Sequence, residues 1–563
     1  MVLRSFICAL ALLSPFATLS AAPARPDFWA SSPKGTEAVL ASALVDSMGD
    51  EEVLGQILML AYPGELPGAL IFDWIAKRGL GGVKIFGWNA EDSTQVARSC
   101  AAFQESAAAT RLGLPLLIAT DQEGGWIRHI KGATSVTPGN MAIGASGRPY
   151  DAYRSANLIG RELAALGVNM DFAPSVDLAT KPRSYIIGPR AFSDDPATVA
   201  ALGSAFMRGL ADAGIIATAK HYPGHGDTES DSHGVLPVIR VDAKTLWDRE
   251  LLPYRVLCAE GIPAIMSGHL CFPLITGDRV PASLSPYFMT TLLRTRIGFR
   301  GLAVTDDLSM NGAQESAGSL AEACIRAVEA GNDLLMISSL LDFDDPAWTR
   351  LLSAYRTRPA FKARVREAAG RVLVAKLSYL KPRGRAALVP SLGSLAARVP
   401  DPDAAAFFAA QAYRSVTVLR SGGIPFATGS QGRILVASPF KDFIDAALAY
   451  YPGAASFRFS YGPEGAAQAS ELRSFDACLE SADAVILCVA NEAGMDFGQA
   501  AHAAGKKVAI ISAQSPAPLA RASWAEASVA VYSYSRESLF AGVAVLAGKA
   551  KAQGTLPLRL PPQ

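Results

Sequence analysis

Neither sign of charge dominates this sequence. Only 18% of its 563 residues are charged, and 52 basic against 51 acidic side chains leave a formal net charge of +1. That balance gives no long-range field for nucleic acid or an anionic membrane surface, so neither is expected as a partner. Cysteine is also scarce. Seven occur, with Cys8 near the N-terminus and Cys100, Cys258, Cys271, Cys324, Cys478 and Cys488 spread widely. No CxxC pair or metal-like cluster appears among them, and neighbours such as Val256, Leu257 and Ala259 suit buried free thiols. No glycine-rich phosphate loop follows any strand candidate, which leaves no nucleotide to assign. No metal or other cofactor is expected. Long apolar runs are missing too, so no membrane span is expected.

What the chain has is apolar bulk. Half its residues are hydrophobic, which suits large α/β cores and argues against disorder. Its length predicts two domains plus a targeting segment. Arg4, the apolar run from Phe6 to Leu13, Pro15 and the small residues Ser20, Ala21, Ala22 and Ala24 read as a secretory signal over 1–24. Export to the periplasm or the extracellular space follows as the expectation.

Between about residues 50 and 340, eight apolar runs alternate with helical patterns. They lie at 57–60, 82–86, 116–119, 168–172, 215–219, 264–266, 302–304 and 334–337. This spacing predicts a parallel (β/α)8 TIM-like barrel over 25–380, with an open doubly wound sheet as the rival. Polar residues follow several of the runs: Asp121-Gln122-Glu123, Asp177, Lys220-His221, His269 and Asp306-Asp307. In a barrel these positions share one mouth, where catalytic groups gather. Prolines and glycines at 381–402 predict a linker. Beyond it, runs at 433–437, 484–489, 508–511 and 529–532 predict a smaller three-layer α/β/α sandwich over 403–563.

The densest chemistry lies in Lys220-His221-Tyr222-Pro223-Gly224-His225-Gly226-Asp227-Thr228-Glu229-Ser230-Asp231-Ser232-His233, which holds three of the six histidines. Histidine exchanges protons near neutrality, and an adjacent carboxylate orients its ring and raises its basicity. Asp231-Ser232-His233 taken alone is as compatible with a surface pair. Asp306-Asp307, following an apolar strand, suits a nucleophile, a base, a metal ligand or a solvated pair.

These motifs together resemble the family 3 glycoside hydrolases, in particular the bacterial β-N-acetylglucosaminidase branch. The long histidine motif carries most of the likeness. Asp121-Gln122-Glu123-Gly124-Gly125, Ile187-Gly188-Pro189-Arg190-Ala191-Phe192 and Asp306-Asp307-Leu308-Ser309-Met310 match in order. The resemblance implies a retaining mechanism on terminal β-linked N-acetylglucosamine, with peptidoglycan fragments (muropeptides) as the glycan substrate. Asp306 is implied as nucleophile and His233 as acid/base, polarised by Asp231. Asp121, Arg190, Lys220 and His221 are implied as sugar ligands. The family usually carries an arginine eight residues after the first aspartate of its Asp-Gln-Glu-Gly-Gly motif. Here His129 holds that place, and Arg128 is the candidate substitute. Phosphorolysis, metal-dependent hydrolysis and a non-catalytic sugar-binding role stay open as alternatives.

Overall fold

The computed structural model describes residues 26–31, 33–181, 184, 186–229, 234–427, 432–461 and 467–560. The expected signal over 1–24, and Asp231 and His233, lie outside the described residues.

Eight short strands build the first sheet: β1 (Leu58–Leu60), β2 (Gly82–Lys84), β3 (Leu117–Thr120), β4 (Met170–Asp171), β5 (Ile216–Tyr222), β6 (Ala264–Ser267), β7 (Leu302–Thr305) and β8 (Leu335–Ile337). Each pairs in parallel with the next, and β8 pairs with β1. A parallel bridge between Val304 and Leu334 closes the ring between β7 and β8. Each of the eight runs predicted as strands overlaps one of these elements. They are legible because a barrel strand, covered on both faces, reads as an apolar run.

Side chains alternate along each strand. Met59, Leu117, Ala119, Met170, Ile216, Ala264, Met266, Leu302, Val304 and Met336 fill the barrel interior. Leu58, Leu60, Ile118, Ala217, Ile265 and Ala303 join the larger core shared with the surrounding helices. Gly82 takes an interior position on β2, where a Cβ would lie 2.7 Å from Met59 Cε. The same alternation, continued past the last apolar layer, aims Lys84, Asp121, Lys220 and Asp306 toward the barrel axis.

The helices start on local signals. Pro196–Asp212 has Pro196 in its first turn, and Asp195 accepts from Thr198 N at 2.8 Å. It packs closely on Pro149–Ala165, since a Cβ on Gly209 would lie 2.1 Å from Tyr153 O.

Lys381–Arg383, Arg385–Leu388 and Leu392–Ala397 form 3-10 turns, and Leu388 and Leu395 are buried. The second sheet comprises β9 (Thr417–Arg420), β10 (Ile434–Ser438), β11 (Ala455–Arg458), β12 (Ala484–Val489), β13 (Lys507–Ser512) and β14 (Ala527–Ala530). Its order is β9-β14-β13-β12-β10-β11, parallel except for β9. Two apolar layers cover its faces, which makes the three-layer sandwich. One layer includes Met141, Ala142, Ile187 and Ala191 from the barrel domain. The chain also laces the two domains together at 555–559. Thr555 N donates to Ala145 O at 2.9 Å, Ser193 Oγ to Pro557 O at 2.6 Å and Arg559 N to Asp194 Oδ2 at 2.8 Å.

The cysteines from Cys100 to Cys488 are all free, and four of them are buried. No helix of the described residues is long and apolar enough to cross a membrane.

Candidate active site

The mouth is built outward from the four inward positions. Asp121, just past β3, receives Lys220 on Oδ1 and Lys84 on Oδ2, the latter at 2.7 Å. Burial alone would raise its pKa, but the two ammonium groups hold the carboxyl well below the usual range. Lys220 also reaches Glu123 at 2.6 Å. Glu123 takes two hydrogen bonds from Arg190, Nε at 3.0 Å and Nη2 at 2.7 Å. This two-pronged contact fixes the guanidinium plane.

Arg190 Nη2 also donates to His221 Nε2 at 3.2 Å. The other nitrogen, His221 Nδ1, lies 2.6 Å from Asp177 Oδ2. An arginine can only donate, so Nε2 accepts, and the ring proton sits on Nδ1 facing Asp177. Asp177 further receives His225 N at 2.6 Å. Its carboxyl is driven low because His221 outweighs the cost of burial. Asp121, Glu123, Arg190, Lys220 and His221 therefore form one continuous network, and of the implied sugar ligands only Arg128 stands apart. Its Nε donates to Thr134 Oγ1 at 3.1 Å.

His129 replaces the family's arginine, and its Nδ1 lies 3.4 Å from Lys84 Nζ and 3.5 Å from Asp121 Oδ2. Burial and then Lys84 lower its pKa to about 4, so the ring is neutral at physiological pH. The positive charge on this side of Asp121 thus comes from strand β2. Sequence reasoning missed Lys84. The available signal was a lone lysine inside Gly82-Val83-Lys84-Ile85-Phe86, two positions from the interior-facing Gly82. Asp171 was missed as well: it is buried at the end of β4, and burial pushes its carboxyl up to about 7.

Across the mouth, the two adjacent aspartates behave differently. Asp307 Oδ1 accepts from Ser309 N and Ser338 N, both at 2.9 Å, so its carboxylate binds the loops after β7 and β8 together. Asp306 accepts from Asp307 N at 2.8 Å and, by strand alternation, lies on the interior side with Leu302 and Val304. His269 is held at both nitrogens, by Ser283 Oγ at 2.8 Å and Asp307 O at 2.9 Å. That fixes it as a buried support for the loop. His225 is buried with both ring nitrogens unpartnered among the described residues, and burial lowers it to about 4.

A barrel whose strand ends set hydrogen-bond donors and acceptors opposite an inward carboxylate is a framework that suits a glycoside hydrolase. Residues 51–375 match the glycosyl hydrolase family 3 N-terminal domain, and the chain belongs to that family. It is 34% identical over 318 residues to beta-hexosaminidase A of Pseudoalteromonas piscicida, covering 51% of this chain and only 53% of that relative. A beta-N-acetylglucosaminidase/beta-glucosidase of Cellulomonas fimi is 32% identical over 403 residues, 69% of this chain and 68% of the relative. The solved structure of a family 3 beta-N-acetylglucosaminidase from Paenibacillus sp. str. FPU-7 superposes with a TM-score of 0.83 at 30% identity. It spans 92% of this chain and 100% of its own.

Proposed function

We propose that the protein is an exo-acting, retaining β-N-acetylglucosaminidase that removes terminal β-linked N-acetylglucosamine from peptidoglycan fragments. The observation that carries this reading is the network of Asp121, Lys220, Glu123, Arg190 and His221, set at the strand ends on the same mouth as Asp306. Such a network presents several donors and one carboxylate acceptor to the hydroxyls and acetamido carbonyl of one sugar. The names of the relatives support the acetamido preference.

In the proposed reaction Asp306 attacks the anomeric carbon while His233 gives its proton to the departing oxygen. A covalent glycosyl-enzyme forms. His233 then takes a proton from water, the water oxygen attacks the anomeric carbon, and Asp306 is released. Asp231 steadies the imidazolium. Asp307, committed to Ser309 N and Ser338 N, is less suited to attack than Asp306. We place the reaction in the periplasm or outside the cell, because the N-terminal segment reads as an export signal.

The test is turnover of a chromogenic β-N-acetylglucosaminide beside the matching β-glucoside, with and without phosphate. Preference for the acetamido substrate with free sugar as product supports the reading. Equal rates on both would sink the acetamido preference, and a sugar phosphate as product would replace hydrolysis by phosphorolysis.

A further inference from the structure

The loop after β2 carries a construction that the proposed chemistry leaves unused. Gly87–Asn89 form a 3-10 turn at the mouth, entered through Phe86. Buried Asn89 ties it down: Oδ1 accepts from Phe86 N and Nδ2 donates to Tyr62 O, both at 2.9 Å. Trp88 Nε1 donates to the same Tyr62 carbonyl at 3.2 Å. One face of the indole lies on Phe86, with centroids 4.3 Å apart and planes within 6°. Phe86 adjoins His129 at 5.7 Å, and Lys84 Nζ lies 4.3 Å from the centre of its ring. An unbroken series of contacts therefore leads outward from Asp121 through Lys84 and Phe86 to Trp88.

Trp88 is nevertheless 49% exposed. Its ring is held both by its N–H and by stacking, so it offers solvent a flat apolar face without needing to order on binding. The chemical counterpart of such a face is a β-linked pyranose. In the chair form its axial C–H groups gather on the two faces, while its hydroxyls point outward around the rim. The terminal sugar belongs at Asp121, so the next ring along the glycan is the one that Trp88 is placed to meet.

We infer that Trp88 is the platform of a leaving-group subsite, stacking the pyranose ring on the far side of the scissile bond. This rests on the glycosidase reading and deepens it, because it states what the leaving group must carry. A ring gains from Trp88; a small leaving group does not.

The experiment compares the unmutated protein with Trp88→Ala on two substrates. One is N-acetylglucosaminyl fluoride, whose leaving group has no ring, and the other is the β-1,4 disaccharide of N-acetylglucosamine. With Trp88→Ala, kcat/KM on the disaccharide should fall about ten-fold, equivalent to about 1.4 kcal/mol, with Trp88→Phe recovering most of it. The fluoride should change by less than about two-fold. Calorimetry on Asp306→Asn, with and without Trp88→Ala, should show the disaccharide binding about ten-fold more weakly without the indole. Equal losses on both substrates, or no loss on the disaccharide, would overturn the inference. If neither acetamido substrate is turned over or bound, the parent reading fails instead. The same calorimetric pair with a β-linked glucose disaccharide then decides the platform, and equal affinities would overturn it.

Discussion

The two ends of the barrel each bury a cluster of charge, and the clusters differ in what their charges bind. At the end where the strands begin, fully buried Asp333 meets Arg294, Arg364 at 2.6 Å and Arg371 at 3.0 Å, and accepts from Ala303 N at 3.0 Å. Arg294 also donates to Gly301 O at 2.6 Å and Arg364 to Asn332 O at 2.8 Å. Those charges fasten the backbone where β7 and β8 begin. At the mouth, Lys84, Lys220 and Arg190 bind mainly carboxylates, and Asp121 keeps 16% of its side chain exposed. Buried charge is therefore no mark of function by itself. The mark is a network that keeps groups facing an opening a ligand can enter.

The comparison breaks most sharply at Asp306. Asp306→Asn should lower turnover by about 10⁴-fold or more, the scale of losing a nucleophile. Thermal unfolding should stay within about 2 °C, because charge is lost and volume is kept. Covalent labelling by a fluorinated sugar at Asp307 would move the nucleophile to its neighbour.

His233→Ala should cost about 10²–10⁴-fold, and less on good leaving groups, which need little protonation. Asp231→Ala should come close to it on poor leaving groups, with the double variant little worse than either. A double loss near the product of the single losses would show that the two residues work apart.

At the other end the expectation reverses. Asp333→Ala strands three arginines and should cost about 3–5 kcal/mol in urea unfolding. The folded fraction should keep its kcat/KM within about two-fold. A large catalytic loss with unchanged stability would erase the distinction between the two ends.

The smallest effect concerns pH. Asp171 carries a carboxyl pKa of about 7, far above its ordinary value, so the folded state holds this proton more tightly than the unfolded chain does. The stability it contributes is complete below about pH 4 and is lost as pH rises through about 7. Burial raises Glu250 to about 7 as well, and it gives a slope of the same sign. Asp171→Asn should therefore flatten part of the decline between about pH 4 and 7 in denaturant titrations at stepped pH. An unchanged slope would exclude Asp171 as its source.

The barrel was legible because its strands are apolar runs ended by polar residues, and the implied sugar ligands Asp121, Lys220 and His221 stand at those ends. Lys84 was hidden by its own apolar surroundings. Nothing local shows that it faces a carboxylate contributed by β3. In the second domain, Ala455–Arg458 was missed because this edge strand is largely exposed and lacks an apolar run. Thr417–Arg420, the antiparallel edge, is buried only at its start. Arg128 shows what motif alignment leaves open: its Nε bonds Thr134, a partner that its position in the motif does not announce.

The lacing at 555–559 bears on the order in which the protein is made. Ser193 and its partner Pro557 lie 364 positions apart, and the segment they secure includes Arg190. At about 5–20 residues per second, synthesis delivers Pro557 tens of seconds after Ser193. In the later part of that interval, once Ile337 has been made, the barrel strands are complete while the arginine-bearing segment still lacks its outer clasp. The mouth around Arg190 is thus among the last parts of the molecule to be finished, and the nascent barrel passes through that interval before this surface is fully assembled.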